Sequence, residues 1–100
     1  MRALKLAGIV SMCDVDGDRK SLREKLLGGD VSDIGLVDGG VMIVDANGQQ
    51  HGKPYNDLAS LIAHMTVYGI ALIVGKDDAN DSYDDVPDSY LPLLSCGDEA

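Results

Sequence analysis

Phenylalanine and tryptophan are absent from the 100-residue chain, so any core must be assembled from Leu, Ile, Val, Met and Ala with four tyrosines. Such a core suffices for one domain, and the length leaves no room for a second. No run of about 18 apolar residues occurs, which excludes a membrane-spanning helix. Cysteine is scarce: Cys13 and Cys96 lie near opposite ends and in no C-x-x-C pair. That usage fits a reducing compartment in which neither has a disulfide role. The opening Met1-Arg2-Ala3-Leu4-Lys5-Leu6 does not read as a secretory signal, because Lys5 interrupts the apolar stretch and Asp14, Asp16 and Asp18 follow without a small-residue cleavage site. A cytoplasmic protein is therefore expected.

Basic side chains are also few, and none follows Lys76. Residues 1–76 carry nine acidic and eight basic side chains, whereas residues 77–100 carry eight acidic and no basic ones. The net charge of -9 thus belongs to the C-terminal quarter, and the body is nearly neutral. The one basic cluster, Arg19, Lys20, Arg23 and Lys25, has the spacing of a solvated helix face, so no basic stripe supports direct nucleic-acid binding.

The apolar pattern suggests where the elements lie. Leu4, Leu6 and the stretch through Val10 to Val15 have strand character, with a bend or a hairpin turn at Gly8. Asp18, or a capping box at Ser21-Leu22-Arg23-Glu24, opens a helix through Leu22, Leu26 and Leu27 that Gly28-Gly29 stops. Residues 31–37 and 41–44 are short β-branched runs joined by Asp38-Gly39-Gly40, the pattern of a hairpin. Pro54 and Asn56 start a second helix whose Leu58, Leu61, Ile62 and Met65 fall at i, i+3, i+4 and i+7. Residues 69–75 show no polar alternation and read as a central strand buried on both sides.

This β-α-β-β-α-β order predicts an α+β, ferredoxin-like domain with a four-stranded sheet and two helices on one face. The compact domain is expected over residues 1–76. Residues 77–88 hold six aspartates and little apolar surface, so a mobile acidic linker is expected there. It would carry the apolar segment Tyr90-Leu91-Pro92-Leu93-Leu94.

No motif for metal, phosphate or nucleophilic chemistry survives inspection. Asp14-Val15-Asp16-Gly17-Asp18 starts like a calcium loop, but Arg19 and Lys25 stand where the loop needs glycine and a bidentate glutamate. Cys13, Cys96, His51 and His64 lack zinc-ligand spacing. The stretch from Gly69 to Lys76 has five residues between its glycines and Asp77 where a phosphate loop needs Ser or Thr. Neither a metal nor a cofactor is expected, and a non-enzymatic role follows. The distinctive loop is Gly52-Lys53-Pro54-Tyr55-Asn56, where Pro54, Tyr55 and Asn56 read either as a helix start or as a ligand or partner contact.

Leu22 to Gly29 (L-x-x-x-L-L-G-G), Val41-Met42-Ile43-Val44-Asp45 with its Asn47-Gly48 turn, Gly52-x-Pro54-x-Asn56-x-x-Ala59 and Ile70-x-Leu72-Ile73-Val74-Gly75 together resemble a small domain family of unknown function common in tailed bacteriophages and mobile elements. The resemblance implies a phage-type origin, hence action in the cytoplasm of a bacterial host, and no assigned activity. Leu91, Leu93 and Leu94 also resemble the apolar positions of the linear motif that bacterial replication proteins insert into the sliding clamp, with Tyr90 where that motif has Gln. The function expected is that of an accessory protein that binds and modulates a host protein, the clamp being the specific candidate, through Tyr90, Leu91, Leu93 and Leu94. The alternatives are a small-ligand binder or enzyme using the Asn56 loop, and a self-associating structural domain. A further alternative for residues 87–94 is a turn or helix packed back on the body.

Overall fold

The computed structural model describes residues 1–16, 19–26, 30–77, 79 and 82–94. Strands β1 (Arg2–Ala7) and β2 (Ile9–Asp14) form an antiparallel hairpin about Gly8, whose φ of +89° suits a residue without a Cβ. Helix α1 (Arg19–Leu26) follows and buries Leu22 and Leu26 completely. Ser21 lies inside this helix, while Asp18, Leu27, Gly28 and Gly29 fall outside the described residues.

Strands β3 (Val31–Gly35) and β4 (Gly40–Asp45) form the expected hairpin. Its turn residues Asp38 and Gly39 both have positive φ, at 58° and 77°, which matches the right-handed twist of the flanking strands. Helix α2 (Asp57–Ala63) leads to β5 (Ala71–Asp77), and a short β6 (Ser82–Asp84) pairs with the end of β5.

All pairings are antiparallel, in the order β2-β1-β5-β4-β3 with β6 beside β5. The fold is α+β, but it has six strands rather than four, and its order is not the ferredoxin-like one. The helices also lie on opposite faces of the sheet. Leu4, Leu6, Met42, Val44, Ala71 and Ile73 pack with Ala59 of α2, whereas Ala3, Val41, Ile43, Leu72 and Val74 pack with Leu22 and Leu26 of α1. The reason is in β5 itself: residues 71–75 are buried on both sides, and a strand with two apolar faces needs cover on both. Among the described residues no helix is long and apolar enough to cross a membrane.

The expected boundary at residue 76 falls inside β5, and the acidic stretch after it is not a free linker where it is described. Tyr83 of β6 donates a hydrogen bond to the Asp33 carboxylate, and the backbone N–H of Arg2 donates to Asp85 Oδ1 at 2.7 Å. Val86 is 3% exposed, and its N–H donates to the Arg2 carbonyl at 2.9 Å. Sparse apolar residues suffice here because Val86 and Tyr90 are spaced to reach a core built by the rest of the chain.

Candidate binding cleft

Asn56 is the joint around which one end of the molecule is built. Its Oδ1 accepts from the Ala59 N–H at 3.0 Å, capping α2 as the sequence indicates. Its Nδ2 donates to the Leu6 carbonyl at 2.9 Å and to the Gly69 carbonyl at 2.8 Å. One amide therefore ties α2, the end of β1 and the approach to β5. The flanking backbone is paired too, Asn56 N–H with the Val67 carbonyl and Gly69 N–H with the Pro54 carbonyl. Tyr55 meets Tyr68 edge to face, with ring centroids 5.9 Å apart.

A second set of contacts holds the preceding loop, and the sequence reading missed it. Asp45, the last residue of β4, has a fully buried carboxylate. Its Oδ1 accepts from the Asn47 N–H at 3.0 Å, and its Oδ2 accepts from His51 Nδ1 at 2.8 Å and from Lys53 Nζ at 2.9 Å. Burial works against the charged form, but the Asn47 N–H, Lys53 and His51 outweigh it and hold the carboxyl at about 2. Lys53 Nζ also donates to the Leu26 carbonyl at 2.7 Å, at the end of α1 where helix carbonyls lack intrahelical partners. The lysine stem lies so close to Gly69 that a Cβ there would approach Lys53 Cδ to 2.7 Å, and Gly69 has a φ of +85°. The available signal was Asp45, His51 and Lys53 within nine residues of a turn-rich loop, but only the fold shows that they converge.

These contacts hold the loop from Lys53 into α2, which with the Gly8 turn and the end of α1 lines a cleft of about 580 Å³. Leu6, Val10, Leu26, Leu58 and Ile70 supply apolar walls, with Pro54 and Tyr55 among the lining residues. Ile9, 65% exposed, and Tyr55, 55% exposed, stand where an occupant would cover them. Lys53 and Asn56 also line the cleft, but their polar atoms already have protein partners. The cleft therefore offers mainly apolar contact, with the exposed Asp57 as the one acidic side chain among its lining residues. Pro54, Tyr55 and Asn56 are thus brought together at one site, Asn56 as its brace.

Tyr90, Leu91, Leu93 and Leu94 are not part of this site. Tyr90 is 8% exposed, its hydroxyl donates to the Val37 carbonyl, and its ring lies over Gly40, where a Cβ would come within 2.6 Å of it. Leu91, Leu93 and Leu94 are partly buried against the same core as α2. Burial, with the negative Asp38 nearby, pushes the Tyr90 hydroxyl pKa up. The helix face expected from Leu58, Leu61, Ile62 and Met65 is also corrected. Leu61 is 72% exposed and Met65 lies beyond the helix end, because His64 adopts a left-handed conformation and stops α2 at Ala63. Leu58, Ala59, Ile62 and Ala63 pack inward instead. Among the described residues no three His, Cys, Asp or Glu side chains converge as a metal site would require.

Fold and site together define an α+β protein with one antiparallel sheet covered on both faces and an apolar cleft at the end of the sheet. No family model matches the chain, and no curated protein or solved structure matches it.

Proposed function

We propose that this protein binds a partner protein without catalysis, by receiving a short apolar segment of it in the cleft beside the Gly8 turn. The observation that supports this reading is the cleft itself. Its volume of about 580 Å³ falls within the range of ligand sites, its lining is largely apolar, and the polar atoms of Lys53 and Asn56 within it already have protein partners, which leaves the exposed Asp57 as its one acidic side chain. Tyr55 and Ile9 are the exposed anchors, aromatic and large aliphatic residues being the usual carriers of interface energy. The phage-type motif order favours a host bacterial protein, met in the cytoplasm, as the partner.

The sliding clamp remains a second reading, favoured by the incomplete burial of Leu91, Leu93 and Leu94. It requires the segment to leave the core and Tyr90 to give up its seat over Gly40.

A peptide library displayed on phage and selected against the full chain separates the two. Selected peptides should be apolar, should shift the amide resonances of Ile9, Tyr55 and Ile70, and should bind at least ~10-fold more weakly to Ile9→Lys, as a lost interface anchor implies. Peptides indifferent to Ile9→Lys would sink the cleft reading. Clamp binding that Leu91→Ala with Leu94→Ala abolishes, while Ile9→Lys leaves it intact, would establish the C-terminal reading in its place.

A further inference from the structure

The sheet has two long edges, and they differ in what they present. Met1 and Val15 exchange both backbone hydrogen bonds, N–H to carbonyl at 2.9 Å in each direction. Antiparallel ladders alternate bonded and non-bonded pairs, so Ala3 with Cys13 and Lys5 with Ser11 are the next bonded pairs. The backbone groups of Val10, Met12 and Asp14 therefore point outward from β2, and no hydrogen bond to them is made by any described residue outside the strand pairings. The register with β1 runs from Arg2 and Asp14 to Ala7 and Ile9 without a bulge. No proline or lysine interrupts the strand, and Ile9 and Met12 are exposed. Of the usual devices that keep an edge strand from pairing, the described residues of β2 carry only the charge of Asp14, at the strand end.

The other edge is protected. The Leu36 N–H donates to the Gly40 carbonyl, and the same alternation turns Val31, Asp33 and Gly35 outward on β3. Asp33 sits at the centre of that edge, where a two-fold pairing would set like charges opposite each other.

From this we infer that β2 is a self-association edge and that its occupant is the β2 strand of a second copy of this chain. A two-fold axis at Met12 sets Met12 against Met12 of the second copy and Val10 against its Asp14. Each outward N–H then finds a carbonyl, and no acidic residue faces another. On the opposite face of the ribbon the exposed Ile9 comes against Val15 of the second copy. The edge is neutral along residues 9–13, so the repulsion expected of a chain with net charge -9 is least there. Symmetric, self-complementary contacts of this kind are the commonest route to homodimers.

The full-length chain should sediment as a dimer at micromolar concentration. Met12→Lys places two like charges on the axis and should weaken the dimer at least ~10-fold while leaving thermal stability near that of the unmodified chain. Met12→Pro removes an outward donor but no hydrogen bond to β1, and should have the same effect on association. In a chain also carrying Cys13→Ser and Cys96→Ser, Met12→Cys should form an intermolecular disulfide under mild oxidation. A monomer at all concentrations up to ~1 mM would overturn the inference, and so would a dimer that survives Met12→Lys. Ile9 and Val10 belong to both this edge and the cleft, but Met12 does not line the cleft and Tyr55 is not in β2, so Met12→Lys should weaken the dimer and spare peptide binding, whereas Tyr55→Ala should weaken peptide binding and spare the dimer.

Discussion

The carboxylate of Asp45 and the ammonium of Lys53 meet at 2.9 Å, joining the last residue of β4 to the loop that lines the cleft. The Asp45 side chain is fully buried and that of Lys53 is 16% exposed, so the pair is largely desolvated. Removing one partner therefore costs more than a surface ion pair would suggest. Asp45→Asn should destabilise the fold by about 2–3 kcal/mol, because it removes the negative charge that faces the largely buried Lys53 ammonium. Urea unfolding would measure this, and a change within ~0.5 kcal/mol would show that the pair contributes nothing net.

Acid should act through the same carboxyl. Its folded-state pKa of about 2 lies below the ordinary aspartate value of 3.8, so the contribution is present above pH 4 and is lost as the pH falls from about 4 toward 2. A shift of that size corresponds to roughly 2 kcal/mol. The urea midpoint should drop over this window, and the drop should be smaller in Asp45→Asn.

Asn56 allows a sharper substitution test, since its amide both donates and accepts. Asn56→Ala should cost about 2–3 kcal/mol, combining a lost helix cap with two lost bonds to buried carbonyls. Asn56→Asp keeps the cap acceptor but turns an anion toward the Leu6 and Gly69 carbonyls. It should therefore be at least as damaging as alanine, and an aspartate variant as stable as the unmodified protein would refute the bracing role.

The C-terminal segment should behave as part of the core. Tyr90→Ala should cost about 3 kcal/mol or more, as emptying a large buried site does, and Tyr90→Phe about 1 kcal/mol for the bond to Val37. Gly40→Ala should destabilise through the same ring, which leaves no room for a Cβ. Leu91→Ala with Leu94→Ala should lower stability less than Tyr90→Ala, because those leucines are only partly buried. Thermal unfolding of the set would reveal whether this ranking holds.

Several features follow from residues close together in the chain. Asp38-Gly39 between β-branched runs specifies the β3–β4 hairpin, because two successive positive φ angles suit few other pairs. Asn56 specifies the start of α2, and the unbroken apolar run at residues 71–74 specifies a strand with neighbours on both sides. Tertiary structure alone decided that the helices lie on opposite faces, that β2 is an edge, and that Asp45, His51 and Lys53 converge on one carboxylate. It also decided the fate of the acidic tail. Six aspartates in residues 77–88 bias the local chain toward solvent, yet Val86 and Tyr90 find a sheet face that only the assembled strands create. Burial is a property of that assembled surface, so local composition could not reveal it.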